Sequence, residues 1–189
     1  MRKLLIIALS GLLCASCSTS GTKIYNLTLP EEKAGVVSQQ QGTVNISVTA
    51  PRYLSQPYMA LRTSPYQLEI SRYSKWDAPP IEIVREAFKA SVAAGGTFRE
   101  IRTSAIAPEG AYSLEVSLKR FERSETAEAS FAELAFEVLF RSPEGRELYS
   151  RTITKMLRLD EKSFHSLAKG MSSALAEGIS EIKAGLPGR

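Results

Sequence analysis

Two kinds of hydrophobic periodicity constrain what this chain can fold into more than any other feature of its sequence. Apolar residues alternate with polar ones in a series of short segments, which is typical of strands with one buried face. In two longer segments they recur every three or four residues, which is typical of amphipathic helices. Since a one-sided element must bury its apolar side, the sequence predicts a two-layer α+β domain, with a mainly antiparallel sheet and two helices packed on one face.

The alternating pattern predicts seven strands. The first is followed by Pro30 and is expected at a sheet edge. The last two are joined by a turn at residues 142–145, and with the strand before them they form an antiparallel meander. In chain order the predicted strands lie at residues 23–29, 44–48, 66–70, 98–101, 112–118, 132–140 and 147–157, with a loop at 31–42.

The two helical patterns have recognisable ends. The first helix is predicted over residues 78–94, with Asp77 as its N-cap and a Gly-Gly pair after it. The second begins after Asp160, its predicted N-cap, and ends at Gly185 and Pro187. Its apolar stripe is expected to lie in the core, and it consists of Phe164, Leu167, Met171, Leu175, Ile179 and Ile182.

The N-terminus has the pattern of an export signal. Arg2 and Lys3 precede an apolar run of roughly a dozen residues. A helix that spans a bilayer needs about 20 apolar residues, so this run favours a cleaved signal over a membrane span. The signal would end just before Cys17, and both cysteines of the chain lie within its first 17 residues.

Cys17 is the predicted lipid attachment point. The small pair Ala15-Ser16 precedes it, which resembles the bacterial lipobox, although Cys14 stands where that pattern prefers Leu. We therefore predict a lipoprotein signal peptide at residues 1–16, a lipidated flexible linker at 17–22 and a single periplasmic domain at 23–189. Plain secretory cleavage after Ala15 or Ser16 is the alternative.

Charge and motifs exclude several function classes. The chain has 24 basic and 20 acidic residues, and loss of Arg2 and Lys3 with the signal lowers its formal charge from +4 to +2. The charges of both signs alternate, so no nucleic-acid partner is predicted. The sequence has no phosphate-binding loop and no zinc-helix motif, and its single histidine, His165, has no evident triad partners. We predict a protein that is not an enzyme and has no cofactor or metal.

Residues 44–80 carry a family resemblance. An early Tyr25-Asn26-Leu27 strand is followed by a strand, a Pro-x-Tyr-Leu motif and a turn over residues 48–57. Arg62, Trp76 and a Pro-Pro helix start come next at similar spacing. This arrangement resembles the ABC-type transport auxiliary lipoprotein family, whose members accompany MCE (mammalian cell entry) lipid transport systems, including the paraquat-inducible type.

The resemblance implies a lipoprotein, acylated with palmitate-type chains, on the periplasmic face of the outer membrane. Its partners would be an MCE-type substrate-binding protein and the ABC permease and ATPase, and it would form a homo-oligomer. Ser18 after the lipid cysteine is compatible with outer-membrane sorting. The alternative is an envelope-assembly or adaptor lipoprotein that acts through protein–protein contacts.

The residues that carry the resemblance are also the predicted interface. Tyr53, Leu54, Arg62 and Trp76 combine aromatic, apolar and arginine side chains, which are enriched in interface hot spots. The competing interpretation is that Tyr53 and Trp76 brace the turn and the first helix.

Overall fold

The computed structural model describes residues 21–31 and 41–186. The predicted signal peptide, Cys17 and most of the predicted loop lie outside these residues. The described ranges contain eight strands, two α-helices and one 3₁₀ turn. The elements are β1 (Lys23–Tyr25), β2 (Gln41–Thr49), the 3₁₀ turn (Arg52–Ser55), β3 (Tyr58–Ser64), β4 (Gln67–Trp76), α1 (Pro80–Gly95), β5 (Phe98–Arg102), β6 (Tyr112–Glu125), β7 (Ser130–Arg141), β8 (Glu147–Arg158) and α2 (Phe164–Gly185).

The eight strands form one open mixed sheet built around β6. One edge of β6 pairs in parallel with β2 along its first half and with β3 near its end. Its other edge pairs antiparallel with β7, which pairs antiparallel with β8. In the sheet, β4 lies next to β3 and β1 lies next to β4, while β5 lies next to β2. The α+β fold and the antiparallel meander of β6, β7 and β8 are therefore confirmed. Parallel pairing joins β2 and β3 to this meander, and β4 pairs antiparallel with β3.

Both helices pack on one face of this sheet, as the periodicity predicts. The ring of Phe88 on α1 meets the ring of Phe136 on β7 edge-to-face, with centroids 5.6 Å apart. The stripe of α2 faces β7 and β8, and Leu167, Met171 and Leu175 are completely buried. None of the helices in the described ranges is long and apolar enough to cross a membrane.

The predicted N-caps of both helices are wrong, whereas the Gly-Gly pair ends α1 as predicted, with Gly96 in the left-handed conformation. Helix α1 begins at Pro80, and the carboxylate of Asp77 accepts a bond only from the neighbouring Ala78 N–H, at 3.0 Å. The N-cap of α2 is Ser163, whose hydroxyl accepts from the Ser166 N–H at 3.1 Å. In both cases the predicted aspartate is too far from the first turn to reach its free N–H groups.

Three strands differ from their predicted form. Strand β6 continues to Glu125, beyond its predicted end at residue 118. Strand β1 ends at Tyr25, because the chain then leaves the sheet edge and packs on α2, where Thr28 N–H donates to the Ser172 hydroxyl at 3.1 Å. Strand β4 is longer than predicted, and the expected apolar face at its start is not buried: Tyr66 and Ile70 are exposed. Strand β3 has no counterpart among the predicted strands.

Candidate functional site

The segment that carries the family resemblance lies beside the middle of β6. Strand β2 pairs with β6 up to Ser117, and β3 joins β6 again at Arg123. Residues 51–57 fill the gap between these two pairings and form the 3₁₀ turn. Pro51 and Pro57 bound the segment, and neither can donate a backbone hydrogen bond to a ladder, so the pairing is interrupted there.

A buried carboxylate on β6 holds this segment and β3 together. The side chain of Glu122 is completely buried. The Tyr53 hydroxyl donates to its Oε2 at 2.6 Å, and Arg62 Nε donates to its Oε1. We call Tyr53, Arg62 and Glu122 the Glu122 cluster. It joins the turn, β3 and β6 through both oxygens of one side chain.

The electrostatics of the cluster keep Tyr53 and Arg62 in their hydrogen-bond-donating forms. Burial, followed by the hydrogen bond to Glu122, raises the pKa of Tyr53 well above its ordinary value, so the hydroxyl stays protonated and donates. The bond to Glu122 also raises the pKa of Arg62. Because the Glu122 carboxylate has no exposed surface, it is out of reach of a substrate. The cluster therefore holds the 3₁₀ turn, β3 and β6 together.

The other two predicted interface residues, Leu54 and Trp76, are buried in the core of this chain. The Trp76 ring meets Phe121 edge-to-face at a centroid distance of 5.2 Å, and its backbone N–H donates to Pro57 O at 2.6 Å. Both residues therefore support the 51–57 segment from the core side, whereas Tyr53 and Arg62 are only partly buried. The prediction that these residues support an interface stays a prediction.

Glu122 itself was not among the sequence candidates. A glutamate in an alternating strand is usually solvent-facing, and the apolar alternation that predicts this strand ends at Leu118. A register shift between Leu118 and Arg120 moves the core position to Phe121. The spacing of three between these two apolar residues is the signal for the bulge, and it places Glu122 on the face opposite the helices.

Further ion pairs cover that face of the sheet along β6 and β7. Glu133, the residue opposite Glu122 in the ladder, is also buried and pairs with Arg120. The pairs in this row are Arg62–Glu122, Arg120–Glu133, Lys119–Glu137 and Arg141–Glu115. The opposed charges neutralise each other, so this face offers no block of one sign to a ligand.

The described residues offer several open grooves, and one of about 620 Å³ lies between residues 24–28 and α2. Two others lie on the sheet and between the helices. One, of about 580 Å³, lies on the ion-pair face beneath the loop after β5 and is lined by hydroxyl groups. Buried Asn45 fixes that loop, because its side-chain amide bonds both the backbone and the hydroxyl of Ser104. The other, of about 730 Å³, runs between α1 and α2. Within residues 21–31 and 41–186, no group of three or more His, Cys, Asp or Glu side chains could hold a metal ion.

Comparison with known proteins identifies the family. The model of the ABC-type transport auxiliary lipoprotein component matches residues 25–183, so the chain belongs to this family and the predicted resemblance is confirmed. A comparison with curated proteins gave no match.

Two crystal structures share the fold at low sequence identity. One, from Xanthomonas campestris, superposes with a TM-score of 0.70 at 18% identity and covers 85% of this chain and 92% of its own. The other, an uncharacterized protein, has a TM-score of 0.64 at 15% identity and covers 87% of this chain and 97% of its own. At these identities the likeness shows a shared fold.

Proposed function

We propose that the protein is the non-enzymatic lipoprotein of an MCE-type intermembrane lipid transport system, held on the periplasmic face of the outer membrane by a lipid on Cys17. The observation that carries the proposal is the family match over residues 25–183, which makes the chain a transport auxiliary lipoprotein. The pair Ala15-Ser16 before Cys17 supports lipid attachment, and Ser18 after it supports outer-membrane sorting.

In this proposal the protein acts through contacts with an MCE-type substrate-binding protein, whose ABC permease and ATPase supply the energy. The contact surface would be the segment at residues 51–57, which exposes Arg52, Ser55 and Gln56. Tyr53 and Arg62 would reach this surface, and the buried Leu54 and Trp76 would hold it in shape. The Glu122 cluster supports this role, because a rigid segment loses less conformational entropy on binding than a mobile one.

The lipid anchor is tested by Cys17→Ala. We expect this variant to lose metabolic labelling with a palmitate analogue and to leave the membrane fraction, because Cys17 alone follows the small-residue pair after the apolar run. Labelling of Cys17→Ala at the wild-type level would refute lipidation at this residue.

The partner surface is tested by Ser55→Glu and Gln56→Glu. Both residues are exposed, so each variant should keep the wild-type melting temperature and lose co-purification with the MCE-type protein from detergent extracts. Thr152→Glu is the matched control on exposed β8. Native mass spectrometry of the same samples reports self-assembly. Undiminished co-purification of both variants would contradict the assignment of the partner surface to residues 51–57. Co-purification of the wild type with an envelope-assembly machine instead would favour the adaptor alternative.

A further inference from the structure

The exposed apolar side chains of the described residues are concentrated at one sheet edge. Six large apolar residues are exposed, and four of them belong to β1 or to the hairpin of β3 and β4. We call these four the hairpin patch: Ile24, 70% exposed, Tyr66, 98%, Ile70, 44%, and Tyr73, 55%. A cluster of this kind marks a surface that contacts something other than water.

The backbone at this edge is also open. Among the described residues, β4 has an outer partner only where β1 pairs with Ser74, Lys75 and Trp76. Residues 67–73 of β4 therefore form an edge along which apolar side chains and unpaired backbone groups face outward. Edges of this kind promote aggregation unless something covers them.

The register of β1 shows from which direction the anchored end of the chain approaches. Strand β1 runs parallel to β4, with Lys23 opposite Ser74, so the chain reaches Lys23 from the end of the sheet where β4 begins. Cys17 stands six residues before Lys23, which limits their separation to about 20 Å. Residues 66 to 74 span about 26 Å in extended conformation. Within this reach Cys17 can lie beside Ile70 and Tyr73, and it comes to within about 6 Å of the level of Tyr66.

The chemistry of the patch fits a lipid surface. Tyrosine rings are enriched where a bilayer meets water, because one end of the ring is apolar and the other forms hydrogen bonds. Tyr66 and Tyr73 present two such rings. The exposed cations Lys23 and Arg72 flank the two tyrosines, and Glu69 is an exposed acid beside them. Cations near a membrane surface are attracted to anionic headgroups.

We propose that the hairpin patch lies against the headgroup region of the same membrane that holds the Cys17 lipid. The lipid fixes the distance of the domain from the bilayer, and the patch fixes its orientation. This inference rests on the proposed function for the anchor, and its test is arranged so that the two can fail separately.

The test measures contact between single side chains and lipid. The domain has no cysteine of its own from residue 23 onward, so Tyr66→Cys and Tyr73→Cys can each carry one environment-sensitive fluorophore. The lipidated protein is reconstituted in phosphatidylethanolamine–phosphatidylglycerol vesicles, with and without lipids that carry a nitroxide on the headgroup. Ile106→Cys and Met156→Cys are matched controls, because both replace exposed apolar residues outside the patch.

We expect nitroxide lipids to remove most of the fluorescence at positions 66 and 73 and little of it at 106 and 156. Equal quenching at all four positions would overturn the inference. A fluorescence change at 66 and 73 that follows protein concentration, without nitroxide quenching, would also overturn it, because a second copy would then cover the patch.

A second arm removes the dependence on lipidation. Residues 1–17 are replaced by a histidine tag bound to nickel-chelating lipid, and the same four labels are compared. Preferential quenching at 66 and 73 in this arm supports the patch, and its absence overturns it. Failure of the Cys17 protein to float with vesicles counts against the proposed anchor alone.

Discussion

Replacing Arg62 by methionine tests whether the Glu122 cluster holds the 51–57 segment on the sheet. The Glu122 carboxylate is completely buried and accepts from Tyr53 and Arg62. Arg62→Met keeps the aliphatic length of the side chain and leaves the carboxylate with the Tyr53 hydroxyl alone. We expect the variant to be destabilised, because a buried charge that loses its counter-ion keeps its full desolvation cost.

The size of the effect follows from the exposure of the two partners. Removing one member of a buried pair typically costs about 3 to 5 kcal/mol, and we expect about 3 because Arg62 is itself 22% exposed and water can enter the space it leaves. For a domain of this size, about 3 kcal/mol lowers Tm by about 6 to 12 °C. Glu122→Gln should cost less, because the guanidinium left behind lies near solvent.

The assay is urea unfolding of wild type, Arg62→Met, Glu122→Gln and the double variant at pH near 7. In the Arg62→Met background, Glu122→Gln should restore stability, because it removes the uncompensated charge. Arg102→Met is the control for an exposed pair with Glu100, expected to cost at most about 1 kcal/mol. A loss for Arg62→Met no larger than for Arg102→Met, or a double variant less stable than Arg62→Met, would refute the reasoning.

Three further predictions concern α2. Leu175→Ala, at a completely buried position, should cost about 2 to 5 kcal/mol by urea unfolding, and an unchanged midpoint would contradict its burial. Gly178→Ala should lower the urea midpoint, because the added Cβ would lie 3.1 Å from the Phe136 ring. This loss should outweigh the better helix propensity of alanine, which is about 1 kcal/mol. A stabilised variant would show that the ring can move. The hydrogen bond from Lys155 lowers the pKa of Glu181 below 4.5, so this stabilisation is present above the unfolded pKa and is lost as pH falls through the folded one. Glu181→Gln should therefore flatten the fall of Tm with acidification below about pH 4.5, and an unchanged pH profile would argue against the contribution.

Hydrophobic periodicity was sufficient for the elements that have one buried side. Val44, Ile46 and Val48 are buried as predicted, and so is most of the α2 stripe. It failed for β3, where the consecutive residues Met59 and Ala60 are both buried. A strand that is covered on both faces shows no alternation, so its sequence does not distinguish it from other apolar runs. The order of the strands in the sheet could not be predicted from the sequence either, because the parallel pairing of β2 and β3 with β6 depends on how the connecting segments pack.

The interface prediction shows what a motif can and cannot indicate. The family resemblance drew attention to Tyr53, Arg62 and Trp76, and the structure brings all three to the segment beside β6. Their aromatic and cationic character suggested a surface, because residue type alone does not reveal whether a partner lies in the same chain. Glu122, which bonds both Tyr53 and Arg62 within this chain, stands 60 residues or more from both along the sequence.

The proposed membrane contact and the proposed partner surface are joined through one strand. The turn carrying Tyr66 follows one end of β3, and the 51–57 segment precedes the other end. The seven residues of β3 separate the segment from Tyr66 by about 23 Å, whereas Ile24 stands opposite Lys75, which pairs with Tyr58 beside the segment. Arg62 on β3 bonds Glu122, which also accepts from Tyr53 in the segment, whereas Tyr66 in the hairpin turn bonds the Ser64 hydroxyl through its backbone N–H at 3.3 Å. Arg62→Met should therefore weaken co-purification with the proposed MCE-type partner and leave lipid quenching at position 66 unchanged. Loss of both together would mean that the whole sheet loosens and that the Glu122 cluster has no specific role at the partner surface.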